Sequence, residues 1–102
     1  MTRHEIFEEA IAELREAAAW YEEQREGLGN ELLVDYRARL ARALDEPGVG
    51  VMTDAGARSL RRYRLSRFDR YAIVIVILSG IPTVVAFEHA SRRPNYWRAR
   101  LP

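Results

Sequence analysis

The sequence contains no cysteine and no lysine, and only two of its 102 residues are histidine. The absence of cysteine excludes disulfide bonds and thiolate zinc sites, so the core alone must hold the fold. His4 and His89 are too few for a typical zinc site, and we predict no metal and no other cofactor. The phosphate-binding loop, the dinucleotide fingerprint, His-Glu-x-x-His and Gly-x-Ser-x-Gly are also missing, which removes the best-known enzyme signatures.

Long hydrophobic runs are missing as well. The longest, Tyr71–Leu78, has eight residues, whereas a membrane-spanning helix needs about 20. The acidic N-terminal stretch lacks the features of a signal peptide, and we predict a cytoplasmic protein. A chain of 102 residues with 48% hydrophobic and 30% charged residues has the size and composition of one folded unit. We therefore predict a single domain over residues 1–102.

Charge is divided unequally between the two halves of the chain. Residues 1–46 carry six Arg and twelve acidic residues, a balance of −6, whereas residues 47–102 carry ten Arg and three acidic residues, a balance of +7. Arginine stays protonated at any working pH, so it suits the binding of phosphate or carboxylate but is a poor proton acceptor. The division predicts an anionic partner for the basic half. The alternative is that the two halves neutralise each other across the fold.

The hydrophobic period predicts a short strand followed by two helices. Residues 3–7 are typical of a strand, and apolar residues then recur at steps of three and four from Ala10 to Tyr21, as in a helix. The predicted outer face of this helix is acidic, with Glu9, Glu13, Glu16, Glu22 and Glu23. Gly27-Leu28-Gly29 interrupts the pattern, and Asn30 is a suitable N-cap for a second helix. So short a connection requires antiparallel packing of the helices.

The second helix has its apolar stripe from Leu33 to Leu44 and ends at Glu46-Pro47-Gly48, where proline disfavours continuation. A glycine-rich loop is predicted over residues 47–57, after which the period changes to two. Residues 60–65 alternate as in a strand.
This alternation places Arg62 and Arg64 on one side and Tyr63 and Leu65 on the other.

Two more strands follow. The continuous apolar run Tyr71–Leu78 is typical of a central strand, and Ser79-Gly80 can close a hairpin into a strand over residues 81–88. Helices with one apolar stripe must cover one face of a sheet. The sequence therefore predicts an α+β fold in which an N-terminal helical hairpin packs on a small antiparallel sheet. The other face of the sheet is predicted to be free for Arg62 and Arg64.

Arginines interleaved with aromatic residues are the main candidates for chemistry. They are Arg61, Arg62, Arg64, Arg67, Arg70, Arg92, Arg93, Tyr96, Trp97, Arg98 and Arg100. Guanidinium groups match phosphate oxygens and aromatic rings stack on bases, so the set suits single-stranded nucleic acid, and it equally suits an acidic protein. The alternative for Tyr96 and Trp97 is that they pin the C-terminus onto the core. His89 can transfer protons at neutral pH, although a lone histidine is more often structural.

Three segments carry a family resemblance. They are residues 12–33 (AELREAAAWYEEQREGLGNELL), residues 67–78 (RFDRYAIVIVIL) and residues 84–101 (VVAFEHASRRPNYWRARL). The last contains a terminal motif of His89, Arg93, Pro94, Tyr96 and Trp97. In this order the segments resemble the RelE/ParE family of bacterial toxins from type II toxin–antitoxin systems, in the subgroup of plasmid stabilisation proteins. The resemblance covers nearly the whole chain and implies the same helical hairpin on a sheet.

The resemblance also implies a growth inhibitor that a cognate antitoxin neutralises in a toxin–antitoxin hetero-oligomer. Members that look like ParE bind and inhibit DNA gyrase, whereas members that look like RelE cut mRNA on the ribosome. The long hairpin and the absence of lysine, which the nuclease type uses in its basic site, favour the ParE type. The alternative is a ribosome-dependent mRNA endoribonuclease, so the prediction leaves open whether the chain is an enzyme.

Site residues follow from the same resemblance. In the nuclease branch, it implies catalysis by His89, Arg93 and Tyr96. The residues it implies for binding nucleic acid or another target are Arg61, Arg62, Arg64, Arg67, Arg92, Arg93, Trp97 and Arg98. An antitoxin segment, typically acidic and disordered before it binds, is expected to lie across the helices and the basic edge of the sheet.

Overall fold

Two packed helices form one layer of the structure. The computed structural model describes residues 3–46, 50–52 and 60–102. Helix α1 spans Glu8–Gln24 and helix α2 spans Leu28–Asp45, and they pack against each other. Gly27 turns the chain between them at φ 87°, a left-handed conformation that glycine adopts without strain. The predicted helical hairpin is therefore confirmed.

The N-cap prediction for Asn30 is wrong, because α2 begins at Leu28 and Asn30 lies inside it. The first N–H groups of a helix need acceptors outside their own backbone ladder. Here the Glu22 carboxylate accepts from the backbone N–H of Gly27 at 2.9 Å and of Gly29 at 3.0 Å. A side chain from the preceding helix thus does what an N-cap residue would do, and α2 begins three residues earlier than an N-cap at Asn30 implies.

Five strands form the second layer. They are β1 (Glu5–Ile6), β2 (Val51–Met52), β3 (Leu60–Arg64), β4 (Tyr71–Leu78) and β5 (Ile81–His89), in the order β1-β5-β4-β3-β2. All neighbours are antiparallel except β1 and β5, which run parallel, so the sheet is mixed. The predicted α+β fold is confirmed. The loop predicted over residues 47–57 missed β2, and residues 47–49 and 53–57 lie outside the described part of the chain.

The helices cover one face of the sheet. The buried residues of this layer come from both helices and from alternate strand positions: Ala10, Ala17, Leu32, Tyr36, Leu40, Ala43, Tyr63, Leu65, Ile73, Ile75 and Phe87. The alternation predicted for residues 60–65 is confirmed, since Tyr63 and Leu65 join this core whereas Arg64 is exposed on the other side. The most buried leucine at the start of α2 is Leu32, one residue before the predicted stripe.

The other face of the sheet is covered by the C-terminal segment. A 3₁₀ helix, Tyr96–Arg100, places the fully buried Trp97 side chain in a second core with Leu60, Val74 and Val85. The Trp97 indole N–H donates to Glu88 Oε2 at 2.9 Å, so the polar end of the ring is also satisfied. The prediction that this face is free is therefore wrong over its centre. Within the described residues, no helix combines the length and apolar character needed to cross a membrane.

Candidate functional site

A cleft of about 250 Å³ opens where β3 and β5 end and β4 begins. These ends meet because the three strands are antiparallel neighbours. Four arginines line it: Arg62, Arg64, Arg70 and Arg92. The other charged or titratable residues in its wall are Asp69, Glu88, Tyr71 and His89. We call this the basic cleft, because arginines outnumber carboxylates in its wall by four to two.

The arginines of the basic cleft differ in how far they are neutralised. The Arg62 Nε lies 2.6 Å from Glu88 Oε1, and its Nη2 donates to Glu88 Oε2 at 3.3 Å, so this charge is compensated. Arg64 and Arg70 are exposed, and neither forms an ion pair with any other residue that the structure describes. These two guanidinium groups are therefore the cations best placed to bind an anion in the cleft.

His89 is held in one orientation at the rim of the basic cleft. Its Nδ1 accepts the backbone N–H of Ser91 at 3.0 Å and lies 2.7 Å from Ser91 Oγ, and its ring meets Tyr71 edge-on at 4.8 Å between centroids. Because Nδ1 accepts, the neutral ring carries its proton on Nε2. The neutral His89 ring can therefore donate a hydrogen bond through Nε2, and it lines the same cleft as Arg64 and Arg70.

The Tyr96 side chain forms a hydrogen bond within the fold and does not line the basic cleft. Its hydroxyl donates to Glu13 Oε2 at 2.5 Å, and the Arg92 guanidinium lies 3.9 Å above its ring. Burial and the hydrogen bond to Glu13 raise the pKa of Tyr96 far above its ordinary value. The hydroxyl therefore stays protonated at neutral pH, and the structure gives it the anchoring role that was the alternative prediction.

Glu13 is the partner that sequence reasoning missed. Its carboxylate accepts from the Phe87 backbone N–H at 3.1 Å and from Arg100 Nη1 at 2.9 Å, besides Tyr96. Burial raises the pKa of Glu13, but the hydrogen bonds from Arg100, Tyr96 and Phe87 outweigh it and leave the pKa below its usual value. The prediction of an outward-facing Glu13 is wrong, because its side chain is only 14% exposed.

A signal for Glu13 was present in the helix pattern. It follows the buried Ala10 by three residues and precedes the buried Ala17 by four, which is the spacing of one helix face. An acidic residue at such a position needs a cationic or N–H partner from another element. Arg100, which follows Glu13 by 87 residues in the sequence, supplies that partner.

Other predicted site residues lie away from the basic cleft. Arg61 points to the helix-covered face and donates to the Gly50 carbonyl at 2.8 Å, and Arg67 pairs with Glu31 of α2. The prediction that Trp97 binds a target is wrong, since its ring is fully buried, and the alternative that it pins the C-terminus is confirmed. Arg93 and Arg98 are exposed in the C-terminal segment but do not line the cleft.

A second cleft, of about 260 Å³, lies against α1 on the other side of His89. We call it the aromatic cleft, because Trp20, Tyr71 and Phe87 line it, and the last two rings are stacked at 4.8 Å. Glu13, Glu16 and Ala17 of α1 complete its wall on the helix side. Tyr71, His89 and Arg92 line both clefts and so form the partition between them.

Comparison with known proteins adds no further evidence at this point. No protein-family model matches the chain, and no curated protein sequence matches it at a significant level. In the described ranges, no three His, Asp or Glu side chains are grouped as metal ligands. The two clefts together offer guanidinium groups without an ion-pair partner among the described residues, an oriented histidine and an adjoining aromatic surface.

Proposed function

We propose that this chain is the toxin of a type II toxin–antitoxin pair, of RelE/ParE type, and that it acts in the cytoplasm through the basic cleft. The observation that carries the proposal is the position of the terminal motif. His89 and Pro94 line the basic cleft, and Trp97 fixes the segment in the core. Two residues of the motif that resembles the family are therefore part of the wall of a cationic site, where an anionic target or an acidic antitoxin segment can bind.

Binding to DNA gyrase, as in ParE-like toxins, is the target that we favour. The chain has no lysine, so the lysine expected of a nuclease site is missing. The Tyr96 hydroxyl donates a hydrogen bond to Glu13 and its pKa is raised, so this second expected group is already occupied. Arg64 and Arg70 bring charge without proton-transfer chemistry. A toxin that inhibits by binding needs only such charge and a matching surface.

The purified protein should inhibit supercoiling by DNA gyrase. Replacing both Arg64 and Arg70 by Gln should raise the concentration needed for half inhibition roughly tenfold, because both unpaired charges of the cleft are lost. Arg37→Gln, on the exposed side of α2, is the matched control and should inhibit like the unchanged protein. Full supercoiling activity in the presence of excess toxin would exclude gyrase as the target.

A ribosome-dependent mRNA endoribonuclease is the second candidate, and one observation favours it. His89 lines the same cleft as Arg64 and Arg70, with its Nδ1 occupied by Ser91 and its Nε2 left as the proton donor. A phosphate held by the two arginines would lie next to a group that can transfer a proton to a leaving oxygen. The reaction would then be attack of the neighbouring ribose 2′-hydroxyl on phosphorus, with its proton passing to water, while the 5′ oxygen leaves with the Nε2 proton of the imidazolium form of His89 and a 2′,3′-cyclic phosphate remains.

If the chain is a nuclease, primer extension on translated mRNA should show new 5′ ends after induction. His89→Ala should reduce their rate of appearance by about 100-fold or more, since it removes the proton donor. His4→Ala, which changes the other, exposed histidine, should leave cleavage unchanged. The nuclease proposal fails if no new ends appear, or if the His89 variant cleaves as fast as the control.

A further inference from the structure

Trp20 is the most exposed large hydrophobic side chain that the structure describes. Its side chain is 55% exposed on α1, and its ring meets Tyr21 edge-on at 5.0 Å. A tryptophan side chain removes a large apolar area from water when it is covered. Exposure of this ring to solvent is therefore unfavourable unless a ligand binds against it. Trp20 does not stand alone on the surface, because it forms one wall of the aromatic cleft.

The aromatic cleft and the basic cleft adjoin, since Tyr71, His89 and Arg92 line both. A ligand that passes over this partition meets different chemistry on each side. On one side lie the unpaired guanidinium groups of Arg64 and Arg70, and on the other the Trp20 ring. The ligand that matches this arrangement is a flexible strand that carries both anionic groups and flat, uncharged rings.

We propose that the two clefts together bind a single-stranded nucleic acid, with one phosphate at Arg64 and Arg70 and a neighbouring base against Trp20. Guanidinium groups bind phosphate oxygens through paired N–H donors, and bases stack on tryptophan whatever their sequence. The aromatic cleft, at about 260 Å³, has room for a base. The ring proposed to stack on the base, Trp20, belongs to α1 and not to the terminal motif, whose own tryptophan is buried.

An acidic protein segment fits the pair of clefts less well. Glu13 and Glu16 line the aromatic cleft, and Glu16 is exposed there. A run of carboxylates that reached from Arg64 into this cleft would place negative charge beside Glu16, which is unfavourable. A nucleotide avoids this conflict because its base is uncharged, and the Glu16 carboxylate can accept a hydrogen bond from a base N–H.

The proposed binding of nucleic acid does not depend on toxicity, and it can be measured with the purified chain alone. It holds whether the cellular target is gyrase with its DNA or a translated mRNA. A chain that arrests growth without binding nucleotides would contradict this inference alone, and a chain that binds nucleotides without arresting growth would contradict only the proposed function.

The first test is titration with a labelled octaadenylate at low salt, followed by fluorescence anisotropy. Trp20→Ala should weaken binding about tenfold, through the loss of one stacked base. Arg64→Gln should also weaken binding and should make it less dependent on salt, because one phosphate contact is lost. Val34→Ala removes a similarly exposed apolar side chain from α2, at 54% exposure, and should bind like the unchanged protein.

An abasic octanucleotide of the same length separates base contacts from phosphate contacts. We expect it to bind about tenfold more weakly than octaadenylate and to be insensitive to Trp20→Ala, because it has no base to stack. The inference is overturned if Trp20→Ala weakens both ligands equally or neither of them. It is also overturned if octaglutamate binds more tightly than octaadenylate, which would identify an acidic protein as the ligand.

Tryptophan fluorescence gives a second, independent readout. The chain has two tryptophans, of which Trp97 is fully buried and Trp20 is exposed. Octaadenylate should quench the emission of the unchanged protein, and the quenching should disappear in Trp20→Phe, which keeps a ring for stacking and therefore most of the affinity. Quenching that persists in Trp20→Phe would show that the base does not lie against Trp20.

Discussion

Trp97→Ala should lower the free energy of unfolding by about 3–5 kcal/mol, the range for removing a large aromatic side chain from a packed core. Trp97 is fully buried between the sheet and the C-terminal segment, and its N–H donates to Glu88. The substitution leaves a cavity over β4 and β5 and removes one of the two hydrogen-bond donors to Glu88 Oε2. Urea denaturation followed by circular dichroism measures the loss.

Two variants separate the causes of this loss. Trp97→Phe keeps part of the ring volume but not the N–H, so it should cost less than Trp97→Ala. Trp20→Ala removes the same residue type from an exposed position and should change the free energy of unfolding by less than about 0.5 kcal/mol. A Trp97→Ala protein as stable as the Trp20→Ala protein would contradict the assignment of Trp97 to the core.

Glu13→Gln should lower the free energy of unfolding by about 1.5–3 kcal/mol, which is the range for hydrogen bonds to a charged group. The carboxylate joins α1 to Phe87 of β5 and to Tyr96 and Arg100 of the C-terminal segment. The neutral amide leaves Arg100, whose side chain is only 16% exposed, without its counter-ion. Glu23→Gln, on the exposed face of the same helix, is the control and should be nearly neutral.

The effect of Glu13→Gln should depend on pH. The pKa of Glu13 in the folded chain lies below its ordinary value of 4.5, so its carboxylate stabilises the fold at pH values above 4.5. This contribution is lost as the pH falls through the folded pKa, because the folded and unfolded chains are then both protonated at this group. The stability difference between the two proteins should shrink on acidification below 4.5. A difference that stays constant down to pH values well below 4.5 would contradict the charged hydrogen bonds that we describe.

Much of the fold could be predicted because its elements depend on local patterns. Helical spacing placed α1 and α2, and period-two alternation with apolar runs placed β3, β4 and β5. The start of α2 could not be predicted in the same way, because the group that caps it, Glu22, belongs to the preceding helix. The short strand β2 was missed because its two residues lie inside the glycine-rich stretch 47–57, whose composition indicates a loop.

The candidate site could be predicted only in part. The arginine-rich composition of the second half pointed to a cationic surface, and His89 and Arg64 do line the basic cleft. Composition could not tell which arginines share that surface. Arg61 and Arg62 are neighbours in the chain, yet they lie on opposite faces of the sheet, because side chains alternate along a strand.

The sequence by itself determined the helical hairpin, the strands other than β2 and the unequal division of charge, since each depends on the order and type of neighbouring residues. Only the tertiary structure decided that Trp97 is a core residue while Trp20 is exposed, and that Glu13 anchors the C-terminal segment. The physical reason is that burial and ion pairing depend on contacts between elements. Glu13 and Tyr96, which are 83 positions apart, meet only after the helices have packed on the sheet.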